Sequence, residues 1–226
     1  MSIVIAVDGT AASGKGTLAR KLAAHYGFAH LDSGALYRLT ALAVLASGGD
    51  PANEADALKG ARSIDLSMMG DPAIRTDVVG QAASKVAAIG AVRAALLDFQ
   101  RDFLAHPPGG SLGAVMDGRD IGTVIAPGAT AKLYVDARPE LRAHRRRLEL
   151  CAMGIDREEA DLLRELLARD AADKARPISP LKQAPDAALL DTSDLGIEPA
   201  FAEALRLVDP KVRPLLGGGS KDRHRG

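Results

Sequence analysis

Lys15 is the residue most able to do chemistry in this chain, because it completes the run Gly9-Thr10-Ala11-Ala12-Ser13-Gly14-Lys15 and is followed by Gly16 and Thr17. Glycines at the first and sixth places of such a run let the backbone curl until successive N–H groups point inward. A helix opening just after it adds positive potential, and the lysine reaches outer phosphates as a mobile point charge. In the usual G-K-[ST] form the hydroxyl follows the lysine and binds Mg²⁺ directly. Here Gly16 holds that place, so Thr17 is a candidate phosphate contact or metal contact, with water and carboxylates left to complete a metal site. The plainer alternative, a glycine turn with a surface lysine, does not account for a strand, a loop and a helix that all agree.

Two further groups carry charge in a pattern. Asp117-Gly118-Arg119-Asp120 ends an apolar run, so it lies beyond the carboxyl end of a strand, where open parallel sheets bind ligands. Asp117 there can orient Mg²⁺ waters, Arg119 offers a fork for phosphate, and Asp120 can accept from a base or an arginine; a simple polar turn is the alternative. Arg169, Asp173 and Arg176 follow one another at spacings of 4 and 3, which puts them on one helical face. Two forks around a carboxylate suit a phosphate clamp, and a salt-bridge ladder fits the spacing equally. Ser33 and Arg38 bracket the first turns of a helix and could hold a second phosphate or a base edge, or serve as a cap and a solvated arginine. Ser84 and Arg93 fall off the apolar stripes of their helices and are available for a ligand.

The elements that must position these groups follow from periodicity. Ile3 to Val7, Leu112 to Met116 and Ala131 to Val135 read as strands buried on both faces, with Ala187 to Leu190 as the last strand. The helix after the lysine loop carries Leu18, Leu22 and Ala23 and stops near Tyr26-Gly27; the next carries Leu36, Leu39, Leu42 and Val44. Asp50-Pro51 reads as a cap with a proline at the first helical position, and Ile64 to Met68 as a weak strand. Thr76 caps a helix through Val79, Ala83 and Val86; Val92, Leu96, Phe99 and Phe103 are packing residues of another. Pro139 starts a helix with Arg138, Arg142, Arg145, Arg146 and Arg147, of which one pair could meet a nucleotide while others pair with Glu140 or Glu149. Asp156-Arg157-Glu158-Glu159 reads as a capping box before a stripe of Leu163, Leu166 and Leu167, and Glu198 to Val208 as the last helix. From Gly217 the chain is predicted to fray into a basic tail, 217–226.

The 226 residues hold 29 Lys+Arg against 29 Asp+Glu, so no global basic field favours nucleic acid, and any anion must be held by local clusters. Aromatic residues make up 3% and Trp is absent, which argues against a stacking platform for single strands. Cys151, the one cysteine, rules out an internal disulfide and reads as a small core residue. The chain enters its first strand without a leader-like segment and has no run near the ~20 apolar residues of a membrane helix, so a cytoplasmic protein with no membrane partner is expected. His25, His30, His106 and His144 read as structural or solvated.

Taken together, these motifs resemble those of the bacterial cytidylate kinases, within the nucleoside monophosphate kinases. The matching stretches are Gly9 to Thr17, Leu31-Asp32-Ser33-Gly34-Ala35-Leu36-Tyr37-Arg38, Ala82 to Ala87, Asp117 to Thr123, and Arg169 to Arg176, in the family's order over about residues 3 to 208. The resemblance implies an α/β P-loop NTPase fold, a parallel sheet flanked by helices, in a single kinase domain. It also implies an acceptor-binding insert near 50–92 and a mobile helical lid near 153–178. It implies transfer of the ATP γ-phosphoryl to CMP or dCMP with Mg²⁺, by a monomer. Gly9, Thr10, Ala11, Ala12, Ser13, Gly14, Lys15, Gly16 and Thr17 would hold ATP. Ser33, Arg38, Ser84, Arg93, Arg119, Asp120 and Asp173 would bind the acceptor, Arg169 and Arg176 would come from the lid, and Asp117 would order metal waters. Ile64 to Ala73 is shorter than the family's usual insert, which leaves CMP against dCMP or UMP open. A P-loop kinase for another acceptor (UMP, AMP or dephospho-coenzyme A) and a nucleotide-dependent switch protein are the alternatives.

Overall fold

Ile5, Ala6 and Val7 lose all contact with solvent, and that burial fixes strand β1 (Ile3–Gly9) at the centre of the protein. The computed structural model describes residues 2–217; the predicted tail, 217–226, lies outside the described residues apart from Gly217. β1 pairs in parallel with β3 (Gly113–Gly118) on one side and β4 (Ala131–Asp136) on the other. β5 (Ala188–Asp191) extends the sheet beyond β4 and β2 (Ala29–Asp32) beyond β3, giving the order β2-β3-β1-β4-β5. The register sets Val7 against Asp117 and Gly9 against Val135, so the carboxyl ends of β1, β3 and β4 finish together.

Two compact units make up the chain, one from residues 1–31 and 104–226 and one from 32–103. In the first, helix α1 (Lys15–Tyr26) buries Leu18, Ala19, Leu22 and Ala23, the i, i+4 rows of one face, and ends at Gly27 (φ 67°), whose N–H closes onto Ala23 and Ala24. These residues share a core with Ile3, Ile5, Val7, Val115, Leu133 and Val135. Truncating one of them, Leu22→Ala, would cost about 2–5 kcal/mol. Helices α6 (Pro139–Ala152) and α7 (Glu159–Ala175) form a second cluster in which Ala143, Leu150, Leu162 and Leu166 pack with Ala11.

The smaller unit holds α2 (Ser33–Ala46), α3 (Glu54–Arg62), α4 (Asp77–Val86) and most of α5 (Gly90–Ala105). Ala35, Leu39 and Ile74 form its described apolar cluster, with Leu42, Ile64, Met68 and Met69 against it. The anticipated insert 50–92 falls inside this unit, and the anticipated lid 153–178 inside the larger one.

Several local expectations are corrected. Asp50 does not cap a helix: it accepts from the Ala52 N–H in a turn, and Asn53 caps α3 through the N–H groups of Ala55 and Asp56. Instead of a strand at Ile64 to Met68 there are two 3-10 turns, Leu66–Gly70 and Pro72–Arg75, because the Asp65 and Asp71 carboxylates take N–H groups two residues on and bend the chain. The capping box before α7 does not form; Arg157 reaches Glu165 and Glu159 faces His144 instead. Leu162 and Leu166 are buried there while Leu167 is exposed, and Cys151 is exposed at the end of α6. On α5, Val92 and Leu96 are buried, whereas Phe99 and Phe103 are only half-buried. The last helix, α8 (Ile197–Leu216), runs through Pro210 and Pro214, since its buried row of Ala200, Ala204, Val208 and Val212 continues past them.

Candidate active site

The phosphate loop is shaped from within and from both neighbouring strands. A Cβ at Gly9 would stand 2.0 Å from the Val135 carbonyl oxygen, so only glycine lets β1 pass β4 at this point. Thr10 is buried and donates its hydroxyl to Asp136 at 2.6 Å; Ser13 donates to the Thr10 carbonyl at 3.0 Å. These two hydroxyls therefore brace the loop. Ala12 (φ 58°) and Gly14 (φ 89°) take left-handed backbone, which turns the chain into α1. α1 begins with no side-chain cap and no acidic residue in its first turn, so its amino end keeps its positive potential for an anion. Lys15 lies over this turn with its Nζ 3.1 Å from the Thr10 carbonyl. Gly16 and Thr17 open the helix, and the Thr17 hydroxyl accepts from Arg20 at 3.4 Å.

Beside the loop stand two carboxylates with different tasks. Asp8 accepts from the N–H groups of Ile121 (2.8 Å) and Gly122 (2.7 Å), clasping the one-turn π-helix Ile121–Ile125 that follows Asp120. Burial pushes its pKa up to about 6 and the Asp120 charge adds to this, against the two N–H bonds and the Arg119 charge. Asp117, at the end of β3, has one carboxylate oxygen 2.9 Å from Nε2 of His30 on β2. Its other oxygen would lie 3.4 Å from a Cβ at Gly16. The place where other phosphate loops keep a hydroxyl thus faces Asp117, with an Arg20 guanidinium nitrogen 3.7 Å from the same Cβ position. One carboxylate oxygen beside an anion-binding turn suits a Mg²⁺ ion that keeps most of its waters. Among the described residues no group of three or more His, Cys, Asp or Glu could hold a metal by itself.

Within the same unit, Asp173 and Arg176 come together as their spacing suggests, and Arg119, which that spacing does not include, joins them. Arg119 Nε donates to Asp173 at 2.9 Å, and Arg176 approaches the same carboxylate at 3.8 Å from just past the end of α7. Burial alone would raise the Asp173 pKa, but the charges of Arg119, Arg176 and Arg169 outweigh it and hold the carboxyl below its ordinary range. Three cations around one anion leave a local excess of positive charge. Asp120 is buried at the start of the π-helix. Of the α6 arginines, Arg138, Arg146 and Arg147 pair with Asp194, Glu149 and Glu159, Arg145 binds Thr192, and Arg142 turns inward.

The remaining acceptor candidates lie in the smaller unit. Ser33 is buried at the first turn of α2, next to Asp32, which caps the helix. Arg38 donates to the Ile74 carbonyl at 2.9 Å and passes along Gly80. Ser84 donates to the Gly80 carbonyl at 3.3 Å. Arg93, expected off the apolar stripe, is buried, donates to the Ala87 carbonyl at 3.1 Å and lies 5.2 Å from the Tyr37 ring centroid.

Three residues with roles here escape a reading of the chain alone: Asp8, His30 and the inward Arg142. Asp8 sits in an otherwise apolar strand, and a charge inside a buried strand is the one local signal available. His30 carried none, because its partner is 87 residues away.

A family model described as cytidylate kinase matches residues 5–210. A cytidylate kinase of Rhodopseudomonas palustris (strain TIE-1) is 54% identical over 207 residues, covering 92% of this chain and 96% of that protein. One of Rhodospirillum rubrum is 52% identical over 209 residues, covering 92% and 98%. Among solved structures, a gluconokinase from Sinorhizobium meliloti 1021 is similar with a TM-score of 0.51 at 16% identity, over 95% of each chain. An uncharacterized protein from Eubacterium ventriosum reaches 0.51 at 13% identity, over 92% of this chain and 99% of that one. At such identities the structural likeness speaks for the α/β fold alone, and together with the family match the fold is of the P-loop NTPase kind.

Proposed function

The chain belongs to the cytidylate kinase family and is a phosphotransferase, and we propose that its own residues carry the γ-phosphoryl group of ATP onto the 5′-phosphate of CMP or dCMP as follows. The loop from Gly9 to Thr17 binds the ATP phosphates through its N–H groups and the amino end of α1. Lys15 leaves the Thr10 carbonyl to bridge the transferred group. An oxygen of the acceptor phosphate forms the new P–O bond as the bond to the β–γ bridging oxygen breaks, and ADP departs. The acceptor is already an anion, so no strong general base is required, and positioning and charge neutralisation carry the catalysis.

Arg119, Arg169 and Arg176 neutralise the moving phosphoryl group, and Asp173 keeps them gathered in its absence. Ser33, Arg38, Ser84, Arg93, Asp120 and Asp173 are the acceptor's residues, the serines and aspartates reading cytosine and sugar. Asp117 would hold Mg²⁺ through water, with Thr17 as a second contact; when bound, the ion supplies charge neutralisation at the phosphates. Residues 50–92 serve as the acceptor-binding insert and 153–178 as a lid whose closure keeps water from the phosphoryl group. A cytoplasmic monomer acting on small nucleotides fits this chemistry; no described helix is long and apolar enough to cross a membrane.

The observation that carries the reading is the uncapped amino end of α1 with Lys15 above it, at the carboxyl end of the central strand. Incubation with Mg-ATP and CMP should yield CDP and ADP in equal amounts, with ATP left intact when CMP is omitted. ADP formed equally fast without CMP would contradict transfer.

A further inference from the structure

Ala11 lies inside the phosphate loop, yet both of its main-chain polar groups are taken by one buried ion pair. The Ala11 N–H donates to the Asp170 carboxylate at 3.3 Å, and the Ala11 carbonyl accepts from the Arg142 guanidinium at 3.1 Å. Arg142 and Asp170 bond to each other at 2.5 Å, with side chains only 4% and 7% exposed, and Arg142 Nε donates to the Ala137 carbonyl at 2.9 Å. The pair therefore joins α6, α7 and the loop. Its place in the chain matters twice. The Ala11 carbonyl belongs to the peptide plane that enters Ala12, whose φ of 58° is a conformation most non-glycine residues avoid. Holding that carbonyl blocks the rotation through which Ala12 would relax. Asp170 also sits directly after Arg169 and one turn before Asp173 on α7, so the helix that presents the arginine group is tied to the loop that presents the N–H groups.

We propose that Arg142 and Asp170 are positioning residues that act through Ala11, holding the phosphate loop in its anion-binding shape and fixing its distance from Arg169, Asp173 and Arg176. The inference rests on the loop being the ATP site. Neither residue touches the reacting atoms, and a buried ion pair contributes little net stability when its members are replaced together by apolar groups. Positioning and packing can therefore be told apart.

Asp170→Asn keeps the size of the side chain, but the Ala11 N–H and Arg142 face different carboxylate oxygens, so the amide N–H₂ would be set against one of these two donors. Arg142→Met with Asp170→Leu removes both charges at once and keeps the space filled. For parent and both variants, the thermal midpoint, the Kd for ATP by calorimetry, and kcat and KM for each nucleotide would be measured. Both variants should bind ATP about tenfold more weakly, the scale of one charge-assisted hydrogen bond. Turnover should fall about tenfold to a hundredfold from misplacement of the loop, with KM for CMP within about twofold. Hydrogen exchange at residues 9–17 should quicken in both variants without ATP. If the double variant folds and binds ATP as tightly as the parent, with unchanged exchange in the loop, the pair is packing only and the proposal falls. Failure of the parent chain to bind ATP would instead overturn the assignment of the loop.

Discussion

Between Gly9 and Thr17 the Thr10 and Ser13 hydroxyls and both main-chain groups of Ala11 are bonded: Thr10 to Asp136, Ser13 to Thr10, and Ala11 to Arg142 and Asp170. Between Ile64 and Thr76 the chain makes two 3-10 turns whose own side chains bond two or three residues along, with one long-range bond from Arg38 to the Ile74 carbonyl, and Ile74 is their one buried side chain. The two stretches carry different obligations. Phosphoryl transfer needs donors fixed before the charge moves, because reorganising them during the reaction would consume the stabilisation they provide. Recognition of one nucleotide over another can rest on a few side chains, for which Ser33, Arg38, Ser84 and Arg93 are proposed, and would tolerate a shorter and looser surround. Substitutions should accordingly differ in effect between the two stretches.

The largest effect should come from Lys15→Ala. Removing one preorganised charge from the phosphates should lower kcat by about a hundredfold to a thousandfold while the circular dichroism spectrum stays that of the parent. Unchanged turnover would remove Lys15 from the chemistry.

Asp8 tests the brace behind the loop through pH. Its pKa is raised from 3.8 to about 6 in the folded chain, so between those values the native state holds more protons than the unfolded one. Stability contributed by this group is therefore complete below about 3.8 and falls by about 3 kcal/mol as pH rises to 6. Thermal midpoints of the parent and Asp8→Asn across that range should show the slope in the parent and its flattening in the variant. Equal slopes would mean that Asp8 titrates normally.

His30→Leu removes one partner of the Asp117 carboxylate that faces Gly16, the proposed holder of Mg²⁺ through water. The Mg²⁺ concentration for half-maximal turnover should rise about tenfold, the usual scale for losing a group that orients a metal contact, and His30→Gln should recover part of it. An unchanged Mg²⁺ titration would leave His30 a structural neighbour of Asp117. Smallest of all, Leu66→Ser at an exposed 3-10 turn should move stability by less than about 0.5 kcal/mol and leave turnover alone. A large loss there would show this stretch to be as tightly determined as the loop.

The same contrast explains what could be read from the chain. β1, β3 and β4 announce themselves by runs of β-branched and small apolar residues, and the loop by its glycines and Lys15, because those signals are local and each follows from backbone geometry. The Arg169, Asp173 and Arg176 spacing was legible as a shared face, but Arg119 as the partner of Asp173 lies 54 residues away. Partners such as His30 for Asp117, Ile121 for Asp8 and Asp170 for Arg142 are chosen by strand order and helix packing, which no local pattern encodes. Capping follows its local signal at Thr76, where the hydroxyl accepts from Val79, and departs from it at Asp156, where Arg157 and Glu159 take ion pairs farther off. The last helix, expected over Glu198 to Val208, continues to Leu216 through Pro210 and Pro214, residues that normally end a helix. The row from Ala200 to Val212 outweighed them.

The measurement that bears most directly on the whole account is ADP formation from Mg-ATP at one enzyme concentration, with CMP, dCMP, UMP, AMP or no acceptor in separate reactions. The account predicts CMP and dCMP well above the rest. Equal rates with UMP would leave phosphoryl transfer standing but take the reading of cytosine away from Ser84, Asp120 and Asp173. No acceptor rising above the blank would contradict the account at its centre.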